Sequence, residues 1–211
     1  MKLTVFGATG RTGGHVVRLA LAAGHHVTAV VRDPGRLPVP PHSQLDVVRA
    51  DVMDPDAIVP AVLGRDAVVS ALGTHDRGPT SICTDAARSV SQAMHVAGVW
   101  RLVAVGASGP FIDDGDGPVM RVLLKPLVMR MLRHGFADFR NMEEMIRRSG
   151  LDWTVMRPPR LTDGPARGRY RTALDRNIRR GFLISRADLA DAILRALDDS
   201  RTAGHTIGVA Y

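Results

Sequence analysis

The amino-acid sequence predicts an α/β protein built on a doubly wound parallel sheet. Two observations lead there. Short apolar runs rich in Val, Leu and Ile alternate along the chain with longer stretches of helical periodicity, the order that lays helices over both faces of a parallel sheet. The first apolar run also breaks on a glycine cluster, Gly7-x-x-Gly10-x-x-Gly13, that leads straight into a helical stretch. With 211 residues, 45% of them apolar, the chain is long enough for one well-buried α/β domain and short for two, so residues 1–211 are taken as a single domain.

Leu3 to Phe6 is the first strand. Gly7 turns the chain sharply off it, Gly10 removes the side chain that would keep a pyrophosphate from the backbone, and Gly13 lets the helix pack close on the strand. The helix buries Val17, Ala20 and Leu21 and stops at Gly24. Its free first-turn N–H groups and the positive end of its dipole face the phosphates. Gly7, Thr9, Gly10, Arg11, Thr12 and Gly13 are therefore candidate residues of a dinucleotide cradle.

The second strand, His26 to Val31, ends in Arg32-Asp33-Pro34. An acid at this place accepts hydrogen bonds from a ribose 2′-hydroxyl, whereas an arginine accommodates a 2′-phosphate. Arg32 argues for NADP(H), and Arg36 offers a second cation, while the adjacent Asp33 keeps NAD(H) open. A proline-rich loop precedes the third strand, Leu45 to Ala50, and Ala57 to Leu63 is a short helix restricted by Pro60. The fourth strand, Asp66 to Leu72, exits through Ala71, Leu72, Gly73 and Thr74, which should touch the cofactor because ligands gather at the carboxyl ends of such strands. His75 and Asp76 follow as loop polar residues.

A helix over Thr80 to Ala97, with Ile82, Ala86, Val90, Ala93 and Ala97 on one face, stops at Gly98. Arg101 to Val105 is the fifth strand, leaving through Gly106-Ala107-Ser108-Gly109. The stretch 111–135 departs from plain alternation: an acidic glycine loop leads into VMRVLLKPLVMRMLRH, read as a lid over the substrate pocket, with a protein contact or a membrane-surface segment as the alternatives. Phe139 to Arg148 is a helix, and Trp153 to Met156 is the sixth strand. From Arg157 to Arg186 nine arginines face only Asp163 and Asp175, a set suited either to an anionic ligand or to a solvated loop. Ser185-x-x-Asp188 opens the last helix as a capping box, and Thr206 to Ala210 closes the sheet.

Composition limits the partners. The net charge of +7 suits an anionic ligand, but only 4% aromatic residues and no finger spacing leave no expected nucleic-acid role. The lone Cys83 excludes an internal disulfide and fits a reducing, cytoplasmic setting. No apolar run reaches membrane-spanning length, and neither an HExxH pair nor a cysteine cluster appears, so neither a membrane nor a metal is expected. A monomer and a homodimer fit equally.

The wordings GATGRTG, VTAVVRDPGRLP, DAVVSALGT, RRSGLDWTVMRPP and ISRADLADAIL fall in one order along the chain. Together they resemble the atypical short-chain dehydrogenase/reductases, in the NAD(P)H-binding group that holds NADPH-dependent flavin reductases (biliverdin-IXβ reductases), with the NmrA-like redox sensors nearby. The resemblance implies a Rossmann domain with a small substrate-side cap. It places Asp51 and Val52 against the adenine, Ser108 at the substrate, and the turn at Pro158 beside the nicotinamide.

The Tyr-x-x-x-Lys pair of carbonyl-reducing members is missing. The corresponding helix offers Phe136-x-x-x-Arg140 or Phe139-x-x-x-Glu143, and neither phenylalanine carries a proton to give. Two functions follow from the resemblance: an NADPH-dependent reductase of a small conjugated acceptor, with flavin as substrate rather than bound cofactor, or a non-catalytic NADP(H)-binding sensor of NmrA-like type.

Overall fold

The computed structural model of the chain describes residues 1–73, 78–112 and 133–211. Strands β1 (Lys2–Phe6), β2 (His26–Val31), β3 (Leu45–Arg49), β4 (Ala67–Ser70), β5 (Arg101–Val105), β6 (Asp152–Arg157) and β10 (His205–Ala210) run parallel. Strand β8 (Arg171–Leu174) joins antiparallel to β10, and the order across the eight-stranded sheet is β3-β2-β1-β4-β5-β6-β10-β8. Strands β7 (Arg160–Thr162) and β9 (Leu183–Ser185) form a separate parallel pair.

Strand alternation sends side chains to two cores. Leu3 and Val5 of β1 join a cluster with Val17, Ala20 and Leu21 of helix α1 (Arg11–Ala22) and Leu189 and Ile193 of helix α5 (Arg186–Asp198). Phe6 points the other way, into a cluster with helices α2 (Pro55–Val62), α3 (Ile82–Ala97) and α4 (Arg133–Arg147). Helices thus cover both faces, which is why the inner strands are apolar on both sides instead of alternating. The strand order reverses between β1 and β4, the crevice where ligands of such sheets bind.

Polar groups lock helices to this frame. The Thr4 hydroxyl, fully buried on β1, donates to the Ala61 carbonyl of α2 at 2.5 Å. Asp138 of α4, also buried, accepts from the Cys83 and Thr84 amides at 2.9 and 3.0 Å and from the Thr84 hydroxyl at 2.6 Å, so one helix caps the N-terminus of another. A side chain from elsewhere in the chain satisfies orphan donors that α3's own Ser81 leaves unmet.

Several boundaries differ from the sequence reading. Asp54 caps α2, accepting from the Asp56 and Ala57 amides, so the helix starts at Pro55 and runs through Pro60. Pro60 has no N–H to give to the carbonyl four residues back, so this short helix carries one backbone bond fewer. Strand β4 ends at Ser70, and α4 already starts at Arg133, which places Arg133 to Gly135 of the expected lid in a helical turn. Phe111 and Ile112, the start of that lid, are described and lie in no helix or strand, whereas its residues 113–132 lie outside the described residues, as do Thr74, His75 and Asp76. Ile82, expected on the buried face of α3, is 38% exposed in its first turn. The sheet continues past Thr206 to Ala210 with β8, whose polar, arginine-bearing sequence hides its role as an edge strand. Among the described residues no helix is long and apolar enough to cross a membrane.

Candidate functional site

At the switch point the Gly7 turn and the β4 exit touch. Gly7 has φ +78°, and a Cβ built on it would stand 2.6 Å from the Ala71 carbonyl oxygen, so a side chain is barred by conformation and by space. The Gly10 amide donates to the Gly7 carbonyl at 2.9 Å and closes the turn. A Cβ on Gly13 would lie 2.1 Å from that same carbonyl, which shows how tightly α1 is seated on the strand exit. At Gly10 a Cβ meets only the Gly7 oxygen, at 3.1 Å, and the residue is exposed: this glycine keeps the mouth of the turn open.

Helix α1 begins at that mouth without a side-chain cap and without an acid in its first turn. The contrast with its neighbours is direct, since Asp54 caps α2, Asp138 caps α3 and Ser185 caps α5. Among the helices whose N-terminus is described, α1 alone presents first-turn donors to an outside acceptor. A diphosphate fits that cradle by charge and by the missing side chains. Of the other motif residues, Thr12 is buried, Thr9 is half-buried, and Arg11 reaches out to Asp163 at 2.7 Å.

The two flanking strand ends lie beside this cradle. Arg32 is exposed just past β2, and no carboxylate pairs with it or with Arg36 among the described residues. The Asp33 carboxylate instead accepts from the Gly35 amide at 3.0 Å and caps a short 3-10 turn, so it is committed to the backbone. Asp51 likewise holds its own turn through the Met53 amide at 3.0 Å, with Val52 half-buried behind it. Ala71 and Leu72 are half-buried and Gly73 exposed at the β4 exit.

On the other side, the β5 and β6 exits are stitched together. The Gly106 amide donates to the Met156 carbonyl at 2.8 Å and the Ser108 amide to the Pro158 carbonyl at 2.9 Å. This brings the two sequence-predicted residues Ser108 and Pro158 into one wall. The Phe136 ring packs on Gly109, where a Cβ would come within 2.4 Å of it. An apolar ring therefore stands one residue from Ser108. Below, Glu143 grips Arg157 through both carboxylate oxygens, at 3.0 and 2.5 Å, and the Arg157 guanidinium lies 3.6 Å from the centre of the Phe111 ring. The Asn177 amide holds the Phe111 carbonyl at 3.0 Å.

The comparisons with known proteins agree with this geometry. A family model described as NAD(P)H-binding matches residues 7–200. The chain belongs to that family. A member of a family that binds NAD(P)H, this protein takes a nicotinamide cofactor. The uncharacterized protein YwnB of Bacillus subtilis is 26% identical over 204 residues, 94% of this chain and 92% of its own. A short-chain dehydrogenase/reductase (wide type) from Veillonella parvula, solved in complex with NADP, shares the fold with TM-score 0.83 at 19% identity over all of this chain and 94% of its own. SP1627 of Streptococcus pneumoniae, a proposed NADH-flavin reductase, shares it with TM-score 0.75 at 24% identity over all of this chain and 99% of its own.

The roles of four polar residues of this NAD(P)H-binding protein escape the sequence reading. Asp163 bridges Arg11 and Arg186, each at 2.7 Å, joining α1 to the segment after β6. Asp188 does not complete the expected capping box. Ser185 does cap α5 through the Asp188 amide at 3.0 Å, but the Asp188 carboxylate accepts from the Arg167 and Gly168 amides at 2.9 Å and from the Tyr211 hydroxyl. The Ser185 amide goes instead to the Tyr211 oxygen, at 3.1 Å. Burial pushes the Asp188 pKa up, and these donors outweigh it and hold the carboxyl below its ordinary value. Glu143 and Asn177 are the other two. A lone acid three residues into a helix signals a cap, and nothing local distinguishes an acid recruited by a distant loop.

Proposed function

We propose that the protein is an NADPH-dependent reductase that passes hydride directly to a flavin or similar conjugated acceptor, with no side-chain acid essential to the step. The observation that carries this reading is the chemistry beside Ser108. Phe136 packs where a proton-donating phenol would be useful, and the residue four positions after Phe139 is Glu143, already paired with Arg157. Both tyrosines are used elsewhere: Tyr170 donates to Asp191 at 2.6 Å, and Tyr211 to Asp188.

A simple ketone becomes an alkoxide on reduction and gains about 10² to 10⁴-fold from a positioned proton donor. A conjugated acceptor spreads the new electron pair over its ring and takes its proton from water, so the protein need only orient. Bound NADPH supplies the hydride. The α1 donors and the cradle of Gly7, Thr9, Gly10, Arg11, Thr12 and Gly13 hold the diphosphate, Arg32 the 2′-phosphate, and Asp51 and Val52 flank the adenine. Ala71 to Gly73, Ser108 and Pro158 line the nicotinamide, with Ser108 orienting the acceptor.

The test compares NADPH oxidation with FMN or FAD and with simple aldehydes and ketones, in wild type and Ser108→Ala. Flavin turnover that survives in Ser108→Ala is the expected result. Faster turnover of ketones than of flavins refutes the mechanism, and no turnover of any acceptor, with NADPH still bound, turns the reading to the sensor.

A further inference from the structure

On the α1/α5 side of the sheet, a cavity of about 530 Å³ opens between α5 and strands β8 and β10. That volume lies within the roughly 300–1,000 Å³ of small-molecule sites. None of the candidate cofactor residues lines it. Met156 and Ile207 form its floor on the sheet, Leu174 stands beside Ile207 on β8, and Ala192 and Ala196 stand on α5. Alanine at both helix positions leaves the space that larger side chains would fill.

The charges around it do not cancel. Arg195 is held by Asp191 at 2.8 Å and Arg201 by Asp199 at 2.9 Å, so both rim arginines have a carboxylate. Arg169, on the same rim, has none among the described residues. Behind the wall lies a second, part-buried cation. Arg101 donates to the Ala196 carbonyl and to the Thr202 hydroxyl at 2.8 Å, both cavity-lining residues, yet it forms no ion pair among the described residues. Burial pulls its pKa down, and the charges of Asp152 and Asp199 only partly offset this. The Tyr170 hydroxyl is spent on Asp191, which leaves its ring as a further apolar surface.

We propose that this cavity is a second ligand site, separate from the cofactor cleft, for an apolar organic monoanion whose body lies on the alanine-lined wall and whose carboxylate or sulfonate meets Arg169. An apolar interior with surplus positive charge favours that class over a neutral molecule of the same shape and over a compact inorganic anion.

Paired probes test it: 1-anilinonaphthalene-8-sulfonate and its neutral counterpart N-phenyl-1-naphthylamine, titrated by fluorescence in the presence of saturating NADP⁺. One saturable site for the sulfonate is expected. Arg169→Ala should weaken the sulfonate about tenfold and leave the neutral probe unchanged. Leu174→Ala, which removes apolar wall beside Ile207, should weaken both, and neither variant should change NADP⁺ affinity or melting temperature appreciably. In the wild type, amide shifts on adding the sulfonate should cluster in 168–174 and 192–207 and spare 7–13. Displacement of the probe by NADP⁺, shifts centred on the glycine turn, or affinity unaltered in a folded Arg169→Ala would each overturn the proposal. The wild-type shift map decides the matter even where a variant fails to fold.

Discussion

Glu143 and Arg157 form a two-armed ion pair between α4 and the end of β6, with side chains only 3% and 7% exposed. The pair ties the helix that carries Phe136 to the strand that leads to Pro158. Removing one partner leaves the other charge buried, which costs about 3 to 5 kcal/mol. Glu143→Ala is therefore expected to lower stability by that order in a denaturant melt. The double variant Glu143→Leu/Arg157→Met should recover much of the loss, because the cost comes from an unpaired charge and not from missing volume.

NADP(H) is expected to bind more tightly than NAD(H). Arg32 stands at the β2 exit with no carboxylate partner among the described residues, while Asp33 is tied to the Gly35 amide. A charge-assisted contact to the 2′-phosphate, worth roughly 1.5 to 3 kcal/mol, corresponds to a preference of about tenfold to hundredfold. Titration of both cofactors into wild type and Arg32→Glu checks this. Equal wild-type affinities would remove Arg32 from the site.

Gly10 and Gly13 should respond differently to the same substitution. A Cβ at Gly13 would sit 2.1 Å from the Gly7 carbonyl oxygen, a backbone atom that cannot yield, so Gly13→Ala should lower the melting temperature and cofactor binding together. At Gly10 the nearest atom is 3.1 Å away, and the side chain would point into the open mouth. Gly10→Val should leave a folded protein that no longer binds dinucleotide. A thermal melt beside a binding titration distinguishes the two, and identical behaviour of the two variants contradicts the assigned roles.

Acid should loosen the β7–β8 connection. Burial raises the Asp188 carboxyl pKa, but the Arg167 and Gly168 amides and the Tyr211 and Ser185 hydroxyls hold it below the ordinary value; at Asp175, the Thr206 amide and His205 overcome burial in the same way. A carboxyl with a depressed folded pKa contributes its full stability above the unfolded pKa of about 3.9 and loses it as pH falls through the folded value. Melting temperature should therefore stay level near neutrality with respect to these groups and fall below about pH 4. Asp188→Asn should be less stable at pH 7 and show a shallower fall in acid. A variant whose acid profile overlays the wild type would show that Asp188 is not involved.

The sequence by itself determined the parallel strands of the main sheet, the helices between them and the glycine turn at their first junction. Those features are written in local signals: the apolar periods of β1 and α1, the glycine spacing between them, and stop signals such as Gly24 and Gly98, each of which acts through backbone conformation within a few residues. Only the tertiary structure decided where the polar side chains of the second half went. Asp138 caps a helix 54 and 55 residues earlier, Asp163 returns 152 residues to Arg11, and the last residue, Tyr211, meets Asp188. A carboxylate looks the same in sequence whether it faces water or a distant amide, and its partner is chosen by which strand ends the sheet brings together. The same reason hid β8: its Arg-Thr-Ala-Leu has no buried face of its own, and it becomes a strand because β10 presents it an open edge.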